Sequence, residues 1–210
     1  MDNPIKQIKA EKPTKGKLIV LPFKGTLDDF FKQLNEGTGG MKVDIINLNS
    51  IGLRLQEAYD KKMGVKICCL GDLENEQKLK KLKITKEDLA EIYIEGHGII
   101  DDRKGYANVF NGQRVPADEI AIALGKLFTH CGYKKNNEIN SKIIIGCCYG
   151  AAKKYENEPV ILSIAEAIKK ELNENLKFQL KPGNLKGTEG SAIEVPSINY
   201  EKVLTSRGHT

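Results

Sequence analysis

Short, largely continuous apolar runs are the strongest constraint in this chain. Residues 17–23 read KLIVLPF, 65–70 VKICCL, 91–95 EIYIE and 142–146 KIIIG, and 42–48 repeat the signal more weakly. Each run has strand length, and none is a clean alternation of apolar with polar residues. A strand apolar on both faces is covered on both faces, as in a parallel sheet, whereas an antiparallel sheet commonly leaves one side wet. Helical signals separate the runs. Thr26 can cap a helix carrying Phe30, Phe31 and Leu34 that stops near Gly37, Ser50 can cap another over 51–63, and residues 74–82 suit a short Lys-rich helix. Residues 116–130 bring Ile120, Ala123, Leu124 and Leu127 to one helical face, and 159–172 read as a further helix. The pattern predicts an α/β fold with a mostly parallel central sheet and helices on both faces. A last strand is expected at 176–180, a loop at 181–191, and a turn at Asn111-Gly112.

A chain of 210 residues, 40% of them apolar, can bury such a sheet in one domain. Residues 1–16 combine Lys, Pro and Gly without apolar periodicity, so a mobile basic leader is expected there and a folded domain over 17–210. The formal net charge of +5 owes much to Lys6, Lys9, Lys12, Lys15 and Lys17. With the remainder near balance, nucleic acid is not an expected partner. No run approaches the roughly 18–20 apolar residues of a bilayer crossing, so no membrane partner is expected either. Five cysteines form an odd set in a chain without an apolar signal core, which points to free thiols in the cytoplasm or another reducing compartment. That reading is compatible with delivery into a host cell.

Chemistry first appears where two of the runs end. The run at 91–95 stops at Gly96-His97-Gly98, and the run at 142–146 passes straight into Cys147 and Cys148. In parallel sheets ligands gather at the carboxyl ends of strands, so an imidazole and a thiol are expected on one rim. Thiolate attack on an acyl group needs a nearby imidazole and backbone N–H donors for the developing oxyanion. Glycines flanking His97 let a substrate approach closely, and Gly146 and Gly150 do the same around the cysteines. Glu95 is a weak candidate to orient the imidazole.

The two motifs, IYIEGHG at 92–98 and KIIIGCCYG at 142–150, resemble those of the caspase-like cysteine peptidases of clan CD. That group includes legumains, gingipains, separases, clostripain and toxin autoprocessing domains. The resemblance implies a caspase-like sheet over about 17–180 and a cysteine endopeptidase acting on a peptide or protein substrate, with no cofactor. It implies His97 as general acid/base, Gly98 as an oxyanion donor, and Cys147 or Cys148 as nucleophile. Gly146 before Cys147 and Gly150 three positions after it favour Cys147, whereas Cys148-Tyr149-Gly150 has the caspase spacing and favours Cys148. The caspase Gln-Ala-Cys signature is absent, so a preference for Asp is not inferred. Asp101, Asp102, Asp118 or Glu189 would favour a basic substrate residue if one lined the specificity pocket. Toxin autoprocessing domains bind an inositol polyphosphate, which makes Lys78, Lys80, Lys81 and Lys83 a weak candidate site for an anionic effector.

Other readings compete. Cys68-Cys69 also ends an apolar run, with no matching motif, and packing is the plain explanation for it. Adjacent cysteines chelate one tetrahedral ion poorly, so no metal site is expected. A phosphatase loop would need an Arg after the thiol, but Lys153 and Lys154 stand there. The alternative to an enzyme is a non-catalytic caspase-fold module that binds a peptide or protein.

Overall fold

The apolar runs become strands because each can hide both its faces. The computed structural model describes residues 16–36, 52–53, 64–109 and 113–187. In chain order the strands are β1 (Gly16–Leu21), β2 (Gly64–Cys69), β3 (Glu91–Ile94), β4 (His97–Asp101), β5 (Lys104–Asn108), β6 (Val115–Pro116), β7 (Glu138–Ile139), β8 (Lys142–Ile145), β9 (Lys154–Tyr155), β10 (Glu158–Pro159), β11 (Gln179–Leu180) and β12 (Leu185–Gly187). The helices are α1 (Leu27–Glu36), α2 (Glu76–Leu82), α3 (Ala117–His130) and α4 (Ile164–Lys170). Among the described residues, five strands form the central sheet in the order β12-β8-β3-β1-β2, and every pair is parallel.

Alternate residues of each strand serve different layers. Leu18 and Val20 of β1, Ile92 and Ile94 of β3, and Ile143 and Ile145 of β8 pack with Leu79, Leu124, Leu127 and Ile168 from α2, α3 and α4. Ile19, Leu21, Ile67 and Tyr93 face the other way, against Phe23 and against Phe30 of α1. The expected mostly parallel sheet with helices on both faces is therefore present. Each fully buried aliphatic side chain contributes about 1.5–3 kcal/mol relative to exposure, so the sheet centre is the stable part of the molecule. No helix among the described residues is long and apolar enough to cross a membrane.

Several boundaries differ from the sequence reading. The helix expected from 159 starts at Ile164, because Ser163 and Glu166 form a capping box and residues 158–159 belong to a hairpin. The Ser163 hydroxyl accepts from the Glu166 N–H at 3.3 Å, and the Ser163 N–H donates to the Glu166 carboxylate at 3.1 Å. The strand expected at 176–180 is reduced to β11, which pairs with β7 outside the central sheet. Part of the expected 181–191 loop is β12, the edge strand beside β8, with Ile143 donating to Asn184 at 2.7 Å. The open hydrogen-bonding edge of β8 recruits this segment, whose own residues Leu-Lys-Gly carry little strand signal. Gly16, assigned to the leader, opens β1. The runs at 42–48 and nearly all of 51–63, the Asn111-Gly112 turn and Glu189 lie outside the described residues.

The hairpin after His97 turns at Asp102-Arg103, where φ is 44° and 60°. Two consecutive positive φ values in a two-residue loop match the strand twist, which is why such loops favour Asn-Gly and why this one escapes a search for that signal. Replacing Ser163 with Ala removes the capping box and is expected to cost about 1 kcal/mol. The denaturation midpoint should fall at unchanged m-value.

Candidate active site

The carboxyl rim of the sheet is organised by β3 and β8. They are neighbours with Ile94 opposite Ile145, and the Gly146 N–H donates to the Ile94 carbonyl at 2.8 Å. Both chains therefore leave the sheet side by side. β3 leads through Glu95 and Gly96 to His97, the first residue of β4, and β8 leads through Gly146 to Cys147 and Cys148. His97 and the cysteine pair are thus on one rim, as their positions after the strands predict.

Direct contact joins the two segments. A Cβ built on Gly98 would overlap the Cys148 carbonyl and lie 2.7 Å from its carbon and 3.0 Å from its amide nitrogen. No side chain fits at position 98 without moving the Cys148 loop. Gly146 has a parallel role, since the Glu95 carboxylate occupies the space where its Cβ would stand. Glu95 is 1% exposed, so this carboxylate sits below the rim, packed against the approach to the cysteines.

The two sulfurs have different surroundings. Cys147 continues the inward period of Ile143 and Ile145, is 0% exposed, and its thiol lies 3.7 Å from the Ile94 carbonyl. Burial, then the nearby Glu95 and Cys148, push its thiol well up, against a smaller opposing effect of the Gly96 N–H. A sulfur in this position resists becoming a thiolate and cannot meet a peptide. Cys147, the cysteine that Gly146 favours in the sequence, is thus a core residue in this structure. Cys148, by contrast, is half-buried.

The loop holding Cys148 is tight and anchored. The Gly150 N–H donates to the Cys147 carbonyl at 3.2 Å, closing a turn in which Tyr149 has φ of 54°. Positive φ at the third turn position suits Gly or Asn, and a Tyr there is held by its surroundings. Its ring packs edge-on against Tyr155, with centroids 5.1 Å apart, and the Gly150 carbonyl accepts from the Ala165 N–H at 2.8 Å in the first turn of α4. Tyr155 also lines a cleft of about 310 Å³ between the β4–β5 and β9–β10 hairpins, with Asp101, Asp102, Arg103, Glu156 and Glu158 around it. Of the acids named from the sequence, Asp101 pairs with Arg114 and Asp102 is in the turn beside it. Asp118 is exposed at the start of α3, away from this cleft.

The remaining candidates are scattered. Cys68 and Cys69 lie at the end of the edge strand β2, facing opposite layers, and burial raises both thiols. In the expected effector cluster, Lys80 pairs with Glu76 at 2.8 Å, and Lys78 donates to the Gly71 carbonyl at 3.1 Å. Comparison with family models, with curated proteins and with solved structures finds no match to this chain.

The surroundings of the five sulfurs order their reactivity. Iodoacetamide at neutral pH should modify Cys148 first. Cys131, half-buried and pushed up to about 11 mainly by burial, should follow slowly. Cys68, Cys69 and Cys147 should react only after unfolding, as read by peptide mass mapping. Early modification of Cys147 would show that its burial is not maintained in solution.

Proposed function

We propose that this chain is a caspase-like cysteine endopeptidase with His97 as general acid/base and Cys148 as nucleophile. The observation that carries the reading is the close contact of Gly98 with the Cys148 main chain, which brings a half-buried thiol beside the His-Gly segment at the rim of adjacent parallel strands. The match of the His-Gly and Cys-Tyr-Gly motifs to clan CD peptidases supports it, and so does the pairing of strand ends on which the motifs stand.

In this reading His97 takes the proton of Cys148 and the thiolate attacks the carbonyl carbon of a bound peptide. The resulting oxyanion is received by backbone N–H groups, with Gly98 and Cys148 as the candidate donors. His97 then protonates the departing amine, and water hydrolyses the thioester to release the acid and restore the thiol. The strained turn at Tyr149 holds Cys148 half-buried at the rim while its predecessor remains in the core. Substrate on either side of the scissile bond has the cleft between the two hairpins within reach of the Tyr149–Tyr155 pair.

A peptide-library digest with single variants tests the assignment. Cys148→Ala is expected to lower turnover at least about a thousandfold, and His97→Ala by about 10²–10⁴. Cys147→Ala should keep turnover within a few-fold and lower stability by about 1 kcal/mol through the lost sulfur. Turnover that survives Cys148→Ala but not Cys147→Ala would reverse the nucleophile. A wild-type chain that cuts nothing, with Cys148 alkylation indifferent to His97→Ala, would favour the non-catalytic binding module instead.

A further inference from the structure

The geometry points to Asn108 as the positioning residue for the His97 imidazole, an inference that rests on the peptidase reading above. His97 and Asn108 are the facing pair at the open end of the β4–β5 ladder. Facing residues of an antiparallel pair project from the same side of the ribbon, with Cβ atoms about 4.5–5.5 Å apart. An amide and an imidazole at that spacing can meet with small side-chain rotations.

The state of the amide makes the pairing specific. Asn108 is 2% exposed, and its Nδ2 donates to the Gln113 carbonyl at 2.7 Å. This bond fixes which end of the amide is which, because the reversed amide would set oxygen against oxygen. Oδ1 is thereby committed as an acceptor, and it is closed to solvent with no hydrogen-bond donor among the described residues. Buried acceptors are nearly always satisfied, so one left over calls for a donor that arrives during function. The residue across the ladder supplies it. An imidazole that has accepted the Cys148 proton carries N–H on both nitrogens. One can serve the leaving amine while the other donates to Oδ1. A neutral amide accepting this bond holds the ring in one orientation. Catalytic hydrogen bonds of this kind are commonly long in the unliganded enzyme and tighten with substrate bound.

Two substitutions separate positioning from architecture. Asn108→Ala and Asn108→Asp both lose the bond to Gln113, but only Ala loses the acceptor. With the most rapidly cleaved library peptide, Asn108→Ala is expected to lower kcat about tenfold at nearly unchanged KM, the scale of one hydrogen bond to a charged group, and Asn108→Asp to recover most of it. In the same proteins with Cys148 alkylated by a peptide chloromethyl ketone, a downfield imidazole N–H proton resonance should be present in wild type and in the Asn108→Asp variant, and missing in Asn108→Ala. Equal kcat losses in both variants, an unaltered kcat in Asn108→Ala, or an imidazole resonance indifferent to both would overturn the inference. Should Asn108→Ala fail to fold, comparison of wild type with Asn108→Asp decides: kcat and resonance retained uphold the role, and both lost refute it. A wild-type chain without His97-dependent turnover or alkylation sinks the peptidase reading itself, a result distinct from any of these.

Discussion

Parallel pairing of β3 with β8 is the interaction on which the rim depends. Hydrogen bonds between the two strands set Ile94 opposite Ile145, and neighbouring strands lie only about 4.7–4.9 Å apart. Segments that leave two such strands at the same height have little freedom to diverge. The short Gly-containing links, Glu95-Gly96 and Gly146, then carry His97 and Cys148 across the rim. Register matters as much as adjacency. A slip by one residue would reverse every side chain of β8 and shift the segment that follows it. Core packing of Ile143 and Ile145 against α3 and α4 guards against that slip.

Glycine has two distinct uses at this rim. Gly98 and Gly146 are small because other atoms occupy the place of a side chain: the Cys148 main chain in one case and the Glu95 carboxylate in the other. Neither requirement concerns backbone conformation. The conformational demand falls instead on Tyr149, whose positive φ is maintained by the turn bond to Cys147, the Tyr155 ring and the anchor to α4. Strain held by surrounding structure is common where a reactive group must be presented outward. Here it lies beside the more exposed of the two rim sulfurs.

Much of the sheet was legible because burial on both faces leaves a strong mark: 17–23, 65–70, 91–95 and 142–146 all contain central strands. β12 was not, since an edge strand is selected by the unsatisfied ladder of its neighbour more than by its own residues. The β4–β5 hairpin was hidden for a similar reason. Asp102-Arg103 adopts a turn that the flanking strands impose, while Asn111-Gly112 carries the local signal. Without the hairpin register, nothing in the sequence ties Asn108 to His97. The difference in burial between the two cysteines was equally concealed. Ile143, Ile145 and Cys147 share one face by period two, yet in a doubly covered sheet that period does not say which face opens to solvent beyond the last strand residue.

By itself, the sequence determined that the chain builds an α/β sheet and that an imidazole and two thiols stand just past the ends of two of its strands. These follow from local apolar runs and from chain direction, which are properties of neighbouring residues. The tertiary structure alone decided that those two strands are adjacent, that Cys147 is fully buried while Cys148 is half-buried, and that Asn108 stands across from His97. Each of these depends on contacts between segments far apart in the chain, and burial and register, the quantities that rank a thiol as core or accessible, exist only once those segments have met.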